Sequence, residues 1–180
     1  MTLPVQLGAE NEKLTAYTLR EAHLKAEHIP FFRAFAVDRC RRWLADRGVV
    51  IVNPAQDPAD HPVQEAALVL TELLTNVIKH VINQGTCWPA ADPLLPHRRD
   101  VPDWVQLDLV LEETDTLAIL VVVRDGDRRG PMLDTSEPGA FEGGLGLGLV
   151  RAVTNDSWGW EPADGGKAVW ARCPLTASPN

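Results

Sequence analysis

The sequence predicts an α+β domain in the form of a two-layer sandwich, with a mixed, mostly antiparallel sheet and helices on one face. Two observations lead to this fold class: the long helical segments come first, and the strands cluster in the C-terminal half of the chain. The chain has 180 residues, of which 45% are hydrophobic, so it can bury one core without disulfides or structural metals.

Composition and charge exclude several classes of protein. Lys and Arg total 17 against 25 Asp and Glu, a net charge of −8, which argues against direct binding of nucleic acid. No apolar run is long enough to span a membrane, and the first residues lack the pattern of a secretory signal. Cys40, Cys87 and Cys173 fit neither a disulfide framework nor a zinc site, so we expect a cytoplasmic protein.

The first half of the chain predicts one early strand and two helices. The strand covers Leu14–Leu19, which alternates, and the first helix covers Pro30–Arg47, since proline suits a first helical turn and Gly48 suits a helix end. The second helix runs from Val63 to about Asn83 and contains neither glycine nor proline. The apolar stripe of the first helix is predicted to consist of Phe31, Phe35, Cys40, Trp43 and Leu44.

The second half predicts four strands and one short helix. Trp104–Leu111 alternates as a half-buried strand does, whereas Leu117–Arg124 is continuously apolar and therefore predicts a central strand. A short helix follows at Leu145–Thr154, entered through glycines. Trp158–Trp160 and Lys167–Cys173 then predict a closing hairpin.

The chain is expected to hold one main domain. Residues 1–29 form an N-terminal strand and lead-in, residues 30–174 form the domain, and residues 175–180 form a tail. Residues 85–103 are rich in proline and irregular, which predicts a surface insertion inside the domain.

Four polar residues share one face of the second helix. At 100° per residue they project within an arc of about 100°. A solvated amphipathic face would explain such a row, but Leu68 and Val69 lie beside it and favour a ligand cleft. The four residues are Glu72, Asn76, Lys79 and His80.

Two later segments have weak signals of their own. Asp125 follows the central strand, where its carboxylate can accept a hydrogen bond from an exocyclic amine, although Asp before Gly126 also suits an ordinary turn. Gly144, Gly146 and Gly148 alternate before a helix start, where backbone N–H groups can approach phosphates. This segment matches neither the Rossmann fingerprint nor the P-loop.

The order of these motifs resembles that of the histidine-kinase-like ATPase superfamily, whose ATP-binding domain is the Bergerat fold. The resemblance covers Pro30–Pro174. The sequence of the C-terminal half (GGLGLGLVRAV, then GGKAVWARCPL) is most similar to that of stand-alone anti-sigma-factor serine kinases. The motifs that carry it are Glu72-x-x-x-Asn76-x-x-Lys79-His80, Asp125-Gly126-Asp127 and Gly144-x-Gly146-x-Gly148.

The resemblance implies ATP and Mg²⁺ as cofactors and assigns the helix residues. Asn76 would hold Mg²⁺, and Glu72 would be the general base that takes a proton from a substrate serine or from water. Lys79 or His80 would approach the phosphates. These residue types suit phosphoryl transfer, which needs positioning and charge neutralisation more than covalent chemistry.

The resemblance also assigns the later residues. Asp125, followed by Gly126, would recognise the adenine amine, and Lys167 would either cover the sheet or reach a phosphate. The lid and phosphate loop would be formed by Gly144, Gly146 and Gly148.

Two departures from the family pattern leave the activity open. Asp127 and Arg129 occupy positions where the family has glycine, and Ala168 occupies the position of a threonine that helps to fix the adenine-binding aspartate. One hypothesis is a serine/threonine protein kinase that phosphorylates an anti-anti-sigma partner. The other is an ATP-binding sequestering or sensor module for a sigma factor, with little or no phosphotransfer. A homodimer is a further possible partnership, and an α+β domain that binds no nucleotide is the third hypothesis.

Overall fold

The computed structural model describes residues 16–22, 24–49, 57, 60–79, 104–113, 117–131 and 145–175. In this part of the chain, a five-stranded sheet lies under a layer of three α-helices. This confirms the predicted α+β sandwich, and every described strand pair is antiparallel. In chain order the elements are β1 (Ala16–Ala22), α1 (Ile29–Ala45), α2 (His61–Val77), β2 (Trp104–Glu113), β3 (Leu117–Asp125), α3 (Leu145–Val153), β4 (Trp158–Ala163) and β5 (Gly166–Pro174).

The strands lie side by side in the order β1-β2-β3-β5-β4, so β3 is central, as its continuous apolar run predicts. Strand β1, in the N-terminal lead-in, pairs with β2 along the whole length of β1 and forms one edge of the sheet. At the other side, β5 pairs with β3 in a register that places Lys167 opposite Asp125. That register decides which side chains meet at the end of β3.

All three helices pack on one face of the sheet. Ile119, Val121 and Val123 alternate along β3 and belong to the same buried cluster as the apolar side of α2. The predicted apolar face of α2 is confirmed for Ala66, Leu70, Leu73, Leu74 and Val77, all of which are buried.

The opposite face of the sheet has its own buried cluster. Leu120 and Val122 of β3 face this side, together with Ala168 and Trp170 of β5 and Val110 of β2. Two cross-strand ion pairs lie on the same side: Arg124 with Asp108 at 2.9 Å and Arg172 with Glu112 at 2.8 Å. Side chains of odd and even positions along β3 and β5 therefore reach different environments.

The predicted stripe of α1 is wrong at its first residue. Phe31 is 63% exposed, whereas Phe32 is buried. The buried positions Phe32, Ala36 and Cys40 follow a spacing of four, which turns Phe31 away from the core. Phe35 packs at the margin of the core, while Cys40, Trp43 and Leu44 are buried as expected.

A buried carboxylate holds the start of α2 against α1. Arg41 donates two hydrogen bonds to Asp60, at 2.8 and 3.0 Å, and the Gln64 amide donates a third at 3.0 Å. The hydrogen bond from Arg41 is the main cause of the lowered pKa of Asp60. This network fixes the direction of α2 and so of the polar row that follows.

Several predicted features lie outside the described residues. They are His80, Gly144, the insertion at 85–103, the continuation of α2 to Asn83 and residues 176–180 of the tail. Within the described ranges, no helix is both long enough and apolar enough to cross a membrane.

Candidate functional site

The first turn of α3 lies directly on the polar row of α2. If Gly146 had a Cβ atom, it would lie 2.9 Å from Glu72 Oε2 and 3.5 Å from Asn76 Oδ1. Any side chain at this position would therefore have to displace the carboxylate. The structure thus brings together the first and third motifs, and we call Glu72, Asn76 and Gly146 the helix cluster.

The helix cluster contains a buried donor to which the described part of the chain offers no acceptor. The side-chain nitrogen Nδ2 of Asn76 is buried and has no hydrogen-bond partner among the described residues. An unsatisfied buried amide costs free energy until an acceptor reaches it. The first backbone N–H groups of a helix such as α3 also lack partners within the helix. Both features suit an anionic oxygen. Lys79, two residues beyond the end of α2, is exposed.

At the end of β3, the two oxygens of the Asp125 carboxylate have different surroundings. Oδ1 accepts hydrogen bonds from Lys167 Nζ and from the backbone N–H of Asp127, both at 2.8 Å. Oδ2 is buried and has no partner among the described residues. Burial raises the pKa of Asp125, and the charge and hydrogen bond of Lys167 oppose that rise.

Close contact between β3 and β5 brings Lys167 to this carboxylate. A Cβ atom on Gly166 would overlap the backbone oxygen of Asp125 and lie 3.0 Å from the Cα atom of Gly126. Only glycine allows the strands to approach so closely at this point. The next residue, Lys167, is buried and also donates to the backbone oxygen of Asp127 at 3.2 Å.

The residue that faces Asp125 is Lys167, whereas Ala168 lies in the cluster on the opposite face of the sheet. Successive strand residues point to opposite faces, so the methyl group of Ala168 cannot support the Asp125 carboxylate. Lys167, and not Ala168, is therefore the residue of β5 that contacts the Asp125 carboxylate. The Lys167 amine is already bound to Asp125 and Asp127, which favours the sheet-covering alternative over contact with a phosphate.

The two residues just after Gly126 that carry opposite charges, Asp127 and Arg129, bind each other. Arg129 Nε donates to both carboxylate oxygens of Asp127, to Oδ1 at 2.8 Å and to Oδ2 at 2.9 Å. Its Nη2 donates to Oδ2 at 2.6 Å, and its backbone N–H donates to Oδ1 at 3.0 Å. Burial alone would raise the pKa of Asp127, but these hydrogen bonds outweigh it and the pKa is lowered. We call Asp125, Asp127, Arg129 and Lys167 the sheet-end cluster.

Both clusters lie on the helix side of the sheet. Asp125 is two residues beyond Val123, so its side chain shares the face that α2 covers. Helix α2, which carries Glu72 and Asn76, packs on β3, on β5 and on α3. Gly126 is buried beside Asp125. Gly148 is exposed, and a Cβ atom there would meet nothing within 4 Å.

Sequence reasoning singled out five of the seven residues in these clusters as site residues: Glu72, Asn76, Asp125, Gly146 and Lys167. Asp127 and Arg129 entered it only as departures from a motif, although opposite charges two residues apart after a strand could have indicated a paired turn.

No protein-family model matches the chain, and no curated protein sequence matches it at a significant level.

Proposed function

We propose that this chain binds Mg²⁺ and ATP on the helix side of the sheet and acts as a regulatory serine/threonine protein kinase. One observation carries the proposal: two buried polar atoms on this face, the donor Asn76 Nδ2 and the acceptor Asp125 Oδ2, have no partner within the part of the chain that the structure describes. ATP has the complementary groups, because its phosphates are acceptors and its adenine has an exocyclic amine. The ordered motifs, which resemble those of the histidine-kinase-like ATPases, support the same assignment.

The helix cluster fits the phosphates and the metal ion. Mg²⁺ prefers oxygen ligands and is commonly shared between a side chain and substrate phosphates, so the side-chain oxygen of Asn76 is the proposed protein ligand. The bound ion would neutralise phosphate charge. The glycine at position 146 lets the backbone of α3 lie close to Glu72 and Asn76, because any side chain there would meet the Glu72 carboxylate.

Glu72 is the proposed general base. Its carboxylate lies one helical turn before Asn76 and beside the start of α3. It would take the proton from a serine or threonine hydroxyl of a partner protein. That hydroxyl oxygen would form the new bond to the γ-phosphorus while the bond between the γ-phosphorus and ADP breaks.

The partners and the cellular location follow from the resemblance to anti-sigma-factor serine kinases. We propose a cytoplasmic protein that binds a sigma factor, phosphorylates an anti-anti-sigma factor and can form a homodimer. The net charge of −8 supports a protein partner over nucleic acid.

Calorimetric titration with Mg·ATP tests the binding site. The wild type should bind, and Asn76→Ala should weaken binding at least about tenfold, the effect of losing one strong polar contact. Thr71→Ala is the matched control, because its hydroxyl donates to the Ala67 backbone oxygen of the same helix at 2.8 Å. Absence of binding by the wild type would reject the proposal.

Phosphate transfer from labelled ATP to a candidate anti-anti-sigma protein tests the kinase step. Glu72→Gln should retain ATP binding and lose transfer by a factor of about 10² or more, since the amide cannot accept the proton. Glu65→Gln is the control, because Glu65 lies on α2 beside His61 at 3.4 Å. Transfer at the wild-type rate by Glu72→Gln would exclude Glu72 as the base.

A second candidate function is sequestration of a protein partner with ATP bound but no transfer. The Asp127–Arg129 pair favours it, because side chains and an ion pair stand where the resembled kinases have glycine. Under this alternative, ATP would bind and change partner affinity in a pull-down with purified sigma factor, while labelled phosphate would stay on the nucleotide.

A further inference from the structure

The Asp125 carboxylate offers one oxygen to a ligand, because Lys167 and the backbone of Asp127 occupy the other. An ionised carboxylate can accept about four hydrogen bonds, two at each oxygen. Both acceptor positions of Oδ1 are used within the protein, at 2.8 Å each. Oδ2 is the remaining acceptor, and the side chain of Asp125 is 1% exposed, so water does not compete freely for it.

The number of available oxygens matters for the choice of base. Adenine presents a single N–H donor group, its exocyclic amine, beside a ring nitrogen that accepts. Guanine presents two donors side by side, the ring N1–H and the exocyclic amine, and a carboxylate receives such a pair with both oxygens in two parallel bonds. A carboxylate with one oxygen already saturated leaves one of the two guanine donors unpaired in a buried site, which is costly.

We propose that Lys167 is a positioning residue that makes this site selective for a base that presents a single N–H donor group. It does so by saturating Oδ1 of Asp125 and leaving Oδ2 as the acceptor for the ligand. This inference rests on the proposed nucleotide-binding function and adds to it the residue that determines base specificity.

The charge of Lys167 has a second effect, on the protonation of Asp125. Burial raises the pKa of this carboxyl, and the ammonium group of Lys167 opposes the rise. Without that ammonium group the pKa of Asp125 rises further, and the carboxyl becomes neutral at a higher pH. A neutral carboxyl is a weaker acceptor for an amine. As the pH is lowered, a variant without the lysine should therefore lose its affinity for ATP at a higher pH than the wild type does.

Titrations with Mg·ATP and Mg·GTP across a range of pH test this role. In Lys167→Met, the pH at which half of the ATP affinity is lost should move upward by about one unit or more. At a pH where Asp125 is ionised, the preference for ATP over GTP should fall about tenfold, because Oδ1 regains an acceptor position. Lys167→Arg keeps a charge and donors and should keep the wild-type behaviour in both respects.

Two further variants separate specificity from stability. Arg172→Met removes a cation from the same strand that pairs with Glu112 on the other face of the sheet, and it should change neither the pH midpoint nor the base preference. If Lys167→Met does not fold, Lys167→Gln, which removes the charge and keeps a polar group, should still move the pH midpoint upward.

The outcomes distinguish this inference from the function on which it rests. ATP binding by the wild type, with an unchanged pH midpoint and base preference in folded Lys167 variants, overturns the inference and leaves the proposed function standing. Absence of ATP binding by the wild type overturns both.

Discussion

The helix cluster and the sheet-end cluster lie on the same side of the sheet but satisfy their polar groups differently. In the sheet-end cluster, Lys167 neutralises Asp125, Arg129 neutralises Asp127, and nearly every buried polar atom has a protein partner. In the helix cluster, the Glu72 carboxylate lies beside Gly146 at the start of α3, and the buried amide nitrogen of Asn76 has no partner among the described residues.

The difference indicates how the two ends of a ligand would be bound. The sheet-end cluster is preorganised by one buried and one partly exposed ion pair and keeps a single acceptor for the ligand. The helix cluster leaves donor and carboxylate groups to be completed by a ligand, a metal ion or a substrate hydroxyl. Substitutions in the first should therefore alter stability strongly, and substitutions in the second should alter binding and catalysis more than stability.

The largest loss of stability is expected for Lys167→Met, which leaves the Asp125 carboxylate buried without its counter-charge. We expect a loss of about 3 kcal/mol at neutral pH, measured by denaturant unfolding. Because the pKa of Asp125 is raised in the folded protein, protonation relieves the loss, so the destabilisation should shrink as the pH falls. The double variant Lys167→Met/Asp125→Asn should recover much of the stability, and equal losses in the single and double variants would contradict this account.

A smaller loss is expected for Gly166→Ala, because a Cβ atom there overlaps the Asp125 backbone oxygen and the strands must separate. We expect destabilisation of about 2 kcal/mol in thermal or denaturant unfolding. Gly148→Ala is the control: its Cβ meets nothing within 4 Å, and alanine favours a helix, so that variant should be as stable as the wild type or more so. Equal stability of both variants would mean that the strands do not approach this closely.

The Arg41–Asp60 pair lies outside both clusters and provides a reference for an ordinary structural ion pair. Asp60→Asn should cost about 1 kcal/mol near neutral pH, since Arg41 is partly exposed. The pKa of Asp60 is lowered in the folded protein, so its contribution is present above the unfolded pKa and disappears as the pH falls through the folded pKa. A stability difference between Asp60→Asn and the wild type that is as large in strong acid as at pH 7 would contradict this assignment.

The smallest change in stability is expected for Gly146→Ala in the helix cluster. Alanine is a better helix former by about 1 kcal/mol, which offsets the displacement of the Glu72 carboxylate by the new methyl group. Unfolding should therefore change little, whereas affinity for Mg·ATP in calorimetry should fall, with Gly148→Ala as the comparison. A loss of several kcal/mol with unchanged affinity would reverse the proposed difference between the two clusters.

The sequence by itself determined the fold class, the order of the elements and the polar row of α2. These depend on local periodicity: every fourth residue for the row Glu72 and Asn76, and a continuous apolar run for the central strand at Leu117–Arg124. Periodicity also places the apolar and polar sides of α2 correctly, because its two faces differ strongly in composition. Where two adjacent residues are both aromatic, as at Phe31 and Phe32, local pattern does not decide which one is buried.

Only the tertiary structure decided which side chains meet. The pairing register of β3 with β5 places Lys167, and not Ala168, on the face of Asp125, and a shift of one residue would exchange them. Likewise, the contact of Gly146 with Glu72 depends on how α3 docks on α2. Residues far apart in the chain meet through strand register and helix packing. Neither of these is determined by the number of residues that separate them in the sequence.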